Sequence, residues 1–122
     1  MTAALEDALA AAVAGILADE AAAGLLCGSG AFLRREDFTG RFIETAAGIS
    51  DGTPMAWVRW DDAVGALDSG RLHASSGERA VLRLAASLAS GSPVSLRNTV
   101  TSLDTRNLAL VVTAVRHAAG RR

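Results

Sequence analysis

One cysteine and two histidines are the side chains in this sequence best suited to nucleophilic or metal chemistry. A cysteine nucleophile needs a nearby base, so Cys27 would have to meet His73 or His117 in the fold. Cys27 directly follows Leu25 and Leu26, a context typical of an inert thiol at a helix end. Spacings such as C-x-x-C or H-x-x-x-H, which mark zinc sites, do not occur. The sequence therefore predicts neither a catalytic Cys–His pair nor a metal site.

Carboxylates and a glycine-rich loop are the next candidates for a reactive site. Glu36-Asp37 and Asp61-Asp62 are adjacent in sequence, so their side chains diverge on a helix and do not form an acid–base pair. The amides of residues 27–30 could bind an anion, but a phosphate-binding loop would also need a preceding strand and a following Gly-Lys-Ser/Thr. We therefore expect a non-catalytic protein without a cofactor.

Nucleic-acid binding is a third candidate function, which the distribution of charge along the chain suggests. The net charge is −1, but residues 78–122 carry seven arginines against two acidic residues. Helices over 76–89 and 96–103, with a turn between them and a supporting helix over 105–119, have the lengths of a helix-turn-helix. Arginine on the solvated surface of a small helical domain would give the same charge excess. Candidate contacts to bases or phosphates are Arg79, Arg83, Arg97, Asn98, Thr101 and Arg106.

The helix over 76–89 is the best-specified element of the chain. Ser75 and Glu78 have the S-x-x-E spacing of a capping box, and Gly91 is placed to end the helix. An apolar stripe at i, i+3, i+4 and i+7 follows the cap: Val81, Leu84, Ala85 and Leu88. This spacing predicts one buried face.

The last two predicted helices show the same combination of a cap and a stripe. Ser95 is placed to cap the first and Asp104 to cap the second. Their apolar stripes are Leu96, Val100 and Leu103, then Leu108, Val111, Val112 and Val115. We expect both stripes to pack against the rest of the domain.

The N-terminal half is predicted to contain a long helix, a short helix and a hairpin. An Ala-rich helix over about 3–26 has a stripe that could be an internal packing face or half of a dimer seam. A short helix over 35–45 follows. The Asp51-Gly52 turn signal then predicts a hairpin of 45–49 with 55–59, and a further helix covers 62–68. Candidate interface residues are Leu5, Leu9, Val13, Ile16, Trp57 and Trp60. The two tryptophans are also suited to anchor the core.

The length and composition of the chain bear on its fold class and on its function. The 122 residues fit one domain, 1–122, and 26 of them are alanine, which contributes little to a core on burial. We expect a mainly α fold, a compact bundle of five or six short helices with room for one small β-hairpin at about 45–59. Such a core has few large anchors, so we expect binding to a protein partner or homodimerisation, with DNA binding through 76–119 as the alternative.

The expected location follows from the cysteine content and the N-terminal sequence. A single cysteine fits a reducing compartment. The acidic start lacks the features of a signal peptide, and no uncharged run of membrane-spanning length occurs. We therefore expect a cytoplasmic protein with no membrane contact.

Overall fold

The computed structural model describes residues 2–48 and 51–121, and within them the chain forms helices and one small antiparallel sheet. The prediction of a mainly helical bundle with a hairpin is confirmed. The elements in chain order are α1 Thr2–Val13, α2 Leu17–Ser29, α3 Glu36–Phe42, β1 Ile43–Ala47, β2 Pro54–Val58, α4 Trp60–Asp68, α5 Ser76–Ser90, α6 Leu96–Val100 and α7 Thr105–Ala118.

The N-terminal segment is two helices, so the prediction of one continuous helix over 3–26 is wrong. Gly15 has a φ of 93°, a left-handed conformation that breaks the helix and that glycine adopts without steric cost. Glu20 stabilises the break because its carboxylate accepts a hydrogen bond of 2.9 Å from the Gly15 amide. The two helices then pack on different neighbours: α1 on β2, and α2 mainly on α5 and α7.

The hairpin forms around the predicted turn, with its first strand starting two residues early. Ile43 pairs with Val58 and Ala47 with Pro54. The short helix ends at Phe42 instead of residue 45 because the Phe42 carbonyl accepts a 2.6 Å hydrogen bond from the Arg59 amide. Residues 49 and 50, which belong to the predicted first strand and its turn, lie outside the described residues.

Two groups of buried side chains form the core, one aromatic and one rich in alanine. In the aromatic group, the rings of Phe32 and Phe38 lie 4.9 Å apart and those of Phe38 and Phe42 lie 5.5 Å apart. The alanine-rich group joins α2, α5 and α7 and comprises Ala21, Ala22, Leu25, Val81, Leu84, Ala85, Val111 and Ala114. Trp60 packs against both groups. Small side chains let α2 lie close to both α5 and α7.

The three predicted caps in the C-terminal half are confirmed. The Ser75 hydroxyl accepts from the Glu78 amide at 3.2 Å, and the Glu78 carboxylate accepts from the Ser75 amide at 2.8 Å, which completes the capping box. Ser95 and Asp104 accept from the amides three residues later, at 3.3 and 2.7 Å. The α6 helix ends at Val100, three residues earlier than predicted.

Candidate interaction surfaces

The most prominent surface feature is an apolar stripe on α7 that faces solvent. Leu108, Val112 and Val115 are 45%, 49% and 52% exposed and lie at i, i+4 and i+7. The prediction that the whole stripe packs inward is therefore wrong for these three residues. Val111 and Ala114 are the buried positions of this helix.

The α7 helix lies on α2 through its other side, and polar contacts at both ends fix this orientation. Near its start, the Arg106 guanidinium donates to the Gly28 carbonyl at 2.6 Å, at the C-terminal end of α2. Near its end, the His117 Nε2 lies 2.8 Å from a Glu20 carboxylate oxygen in the first turn of α2. The two helices are therefore antiparallel, and the Leu108 side of α7 points away from α2.

The α6 helix adds two more exposed aliphatic side chains. Leu96 is 64% exposed and Val100 is 41% exposed, contrary to the prediction that this stripe packs inward. Thr99 is the buried residue, and its hydroxyl donates to the Ser95 carbonyl at 2.8 Å. Both α6 and α7 pack on α5. We call the exposed set the α6–α7 face: Leu96, Val100, Leu108, Val112 and Val115.

One sequence signal could have identified this face. The apolar residues of α7 cover two sides of the helix, since Leu110, Val111 and Ala114 occupy one side and the Leu108 stripe another. A surface helix of a small domain needs an apolar stripe of only about 100° to pack inward. The excess apolar width therefore indicated a helix with more than one contact surface.

The predicted N-terminal interface residues are divided between the core and the surface. Leu9 is buried in the aromatic core, and Leu5 and Trp60 pack against that core. Val13 is half-buried, whereas Ile16 and Trp57 are exposed. The Leu5 and Leu9 part of the first stripe is thus an internal packing face.

The six predicted nucleic-acid contacts lie in different environments. Arg79, Arg97, Asn98, Thr101 and Arg106 are exposed, and Arg83 is half-buried. Two of the arginines have intramolecular partners, since Arg83 pairs with Asp68 at 2.7 Å and Arg106 bonds to the end of α2. The Thr101 hydroxyl donates to the Arg97 carbonyl at 2.7 Å. The second helix of the predicted helix-turn-helix is α6, which has five residues. DNA binding by this unit remains a prediction.

A groove between α1 and α7 contains both Cys27 and His117. The helix α2 forms the floor of this groove and carries both Cys27 and Glu20, the partner of His117. Cys27 lies seven residues after Glu20, which separates the two by about 10 Å along the helix axis. Burial, followed by the nearby Glu6 carboxylate, raises the pKa of the Cys27 thiol to about 11. A thiol in this state is a poor nucleophile at neutral pH.

A metal site and a membrane-spanning helix are two further functional features that the described residues, 2–48 and 51–121, could contain. Within these ranges, no group of three His, Cys, Asp or Glu side chains is arranged to hold a metal ion. None of the described helices combines the length and the apolar content required to cross a bilayer. Comparison with family models, curated proteins and solved structures gives no match to this chain.

Proposed function

We propose that this protein is a non-catalytic interaction protein that forms a homodimer through the α6–α7 face. The observation that carries the proposal is the solvent exposure of Leu108, Val112 and Val115 on one side of a long, well-capped helix. Exposed aliphatic residues that form a continuous row are typical of protein contact surfaces, whereas isolated ones are common on any protein.

The spacing on α7 suits an antiparallel pair of helices. Leu108, Val112 and Val115 follow the alternating steps of four and three residues found along the contact line of packed helices. Pairing about a two-fold axis near Val112 would set Leu108 of one copy against Val115 of the other. Ala109 and Ala119 flank the row and are exposed, so small side chains border the contact and permit close approach.

The helix dipole of α7 favours self-association in this antiparallel sense. Asp104 and Arg106 lie at the start of the helix and balance in charge, whereas Arg116 and Arg121 lie at its end. A two-fold antiparallel pair sets the two helix dipoles in opposite directions, so the positive end of each lies beside the negative end of the other. The same patch thus serves both partners, as a two-fold dimer requires.

The proposed dimer contact includes α6 because of the surface area that a stable dimer buries. A stable dimer buries about 800 Å² on each partner. Three half-exposed side chains on one helix fall short of this area. Leu96 and Val100 of α6 supply further exposed aliphatic surface from the segment that leads into α7.

Sedimentation velocity over a range of concentrations tests the proposal. We expect the wild-type chain to show a concentration-dependent dimer. Val112→Glu should weaken the dimer at least about tenfold because it places a carboxylate in the centre of the contact, and tenfold corresponds to ~1.4 kcal/mol. Thr113→Glu is the matched control, since it adds the same charge to an exposed position of the same helix, about 100° around the axis.

The outcome separates the proposal from the alternatives. A wild-type chain that stays monomeric at about millimolar concentration, where weak dimers form, would overturn homodimerisation. Equal disruption by Thr113→Glu would show that the Leu108 side of α7 has no special role. DNA binding would gain support from salt-dependent retention on a mixed duplex that Arg97→Ala abolishes, because phosphate contacts release counterions.

A further inference from the structure

The groove between α1 and α7 is a second surface, distinct from the α6–α7 face. It has a volume of about 1040 Å³, α2 forms its floor, and α1 and α7 form its walls. Ala21 and Gly24 lie on the floor, and a Cβ atom added to Gly24 would meet no atom within 4 Å. The space above the middle of α2 is therefore open.

The shape of the groove suits an α-helix. From Leu110 to His117, the α7 wall rises by about 10 Å, or two helical turns, and Arg121 follows the end of the helix. The lining is mainly aliphatic, and small residues such as Ala10, Gly24 and Ala114 let another backbone approach closely. The groove is open along one side, so a bare aliphatic ligand would remain partly in water. An amphipathic helix would cover the groove and keep its own polar face solvated.

The side chains that line the groove itself differ in charge between its two ends. Glu6 and Asp7 of α1 line the end near Cys27. Arg34 and Arg106 line a smaller adjoining cavity beyond Glu6, and the Arg106 guanidinium donates to the Gly28 carbonyl. Arg116 and Arg121 line the opposite end, where Glu20 is held by His117 and the Gly15 amide.

We infer that the groove binds an amphipathic helix of a partner protein along about two of its turns, with the N-terminal end of that helix at Glu6 and Asp7. A helix N-terminus carries a partial positive charge and its C-terminus a partial negative charge, so this orientation matches both ends of the groove. The bound helix runs parallel to α1 and α7 and antiparallel to α2. Basic residues in its first turn and acidic residues in its last turn strengthen the match.

The probe for this inference is a stapled helix of about 10 residues, or ~15 Å. It carries Leu and Ala on one face, Lys in the first turn and Glu in the last, and its binding is followed by fluorescence anisotropy. Gly24→Leu should weaken binding at least about tenfold because the side chain fills the groove. Gly40→Leu is the matched control: this exposed helical glycine of α3 also has no atom within 4 Å of an added Cβ. Both substitutions replace glycine by a better helix former, so the fold should be retained.

A charge variant tests the orientation. Asp7→Lys should weaken binding of the probe by about twofold to fivefold at low salt, as expected for an exposed ion pair. The difference should disappear near 0.5 M salt because of screening. Val112→Glu, which removes the proposed dimer contact, should leave binding of the probe unchanged.

Several results would overturn the inference. Equal binding by the Gly24→Leu and Gly40→Leu variants would place the probe outside the groove, and the absence of any binding would exclude a helix of this chemistry. Binding of laurate without binding of the probe would assign the groove to an aliphatic ligand. Self-association that Gly24→Leu abolishes would assign it to a second copy of this chain.

Discussion

Helices α5 and α7 look alike in sequence but occupy different positions in the fold. Each begins at a polar cap and carries a regular aliphatic stripe. The α5 helix lies between both core groups and buries six residues, from Ala80 to Ala86, whereas α7 buries Val111 and Ala114. The difference shows that a regular spacing of apolar residues identifies the side of a helix that is suited to packing. The packing of the neighbouring elements determines whether that side is buried.

The largest effect that would test this comparison comes from matched leucine truncations. Leu82→Ala in α5 removes a side chain that is 0% exposed and should lower the free energy of unfolding by about 2–5 kcal/mol. Leu108→Ala in α7 should cost less than about 1 kcal/mol, because its side chain already contacts water. Urea unfolding at a concentration where the chain is monomeric measures both. Equal costs would show that the Leu108 side of α7 is covered after all.

Removal of the caps should affect the two helices equally. Ser75→Ala and Asp104→Ala each remove the acceptor for an amide in the first turn, at a cost of about 1 kcal/mol. The measurement is again urea unfolding, with Ser76→Ala as the control beside the α5 cap. A far larger cost at Ser75 would mean that the cap also depends on the packing around it.

The contact between Arg106 and the end of α2 should affect α7 and α2 but not α5. Arg106→Ala removes a cation from the C-terminal carbonyls of α2 and should lower stability by about 0.3–1 kcal/mol. Hydrogen exchange should rise in α7 and the end of α2, with α5 unchanged. Arg79→Ala, at an exposed position of α5, is the matched control. Increased exchange throughout α5 would contradict the separate attachment of the two helices.

The last effect depends on pH and concerns Cys27, which lies in the groove beside α7. Because its pKa is raised to about 11, alkylation by iodoacetamide should be slow at pH 8 and should accelerate towards pH 11. The folded chain keeps this proton where the unfolded chain loses it, so the free energy of unfolding should fall as pH rises from about 9 to 11. The urea-unfolded protein is the control for intrinsic thiol reactivity. Equal alkylation rates in the folded and unfolded chains at pH 8 would show that the groove does not protect the thiol.

Local features of this fold were predictable from the sequence. The caps at Ser75, Ser95 and Asp104 were identified correctly because the donor and acceptor are three residues apart in the chain. The hairpin was identified from Asp51-Gly52 for a similar reason, since Gly52 has the positive φ of 73° that this turn needs. Such interactions form within a few residues and require no distant partner.

The tertiary structure alone decided which apolar surfaces are covered. The stripe from Leu5 to Leu17 continues across Gly15 without interruption in the sequence, yet α1 and α2 separate there and pack on different neighbours. Similarly, two sides of α7 were apolar, and α2 covers one of them through contacts at Gly28 and Glu20. Burial depends on surfaces that are distant in sequence, so the α6–α7 face and the groove became visible only once the helices were placed.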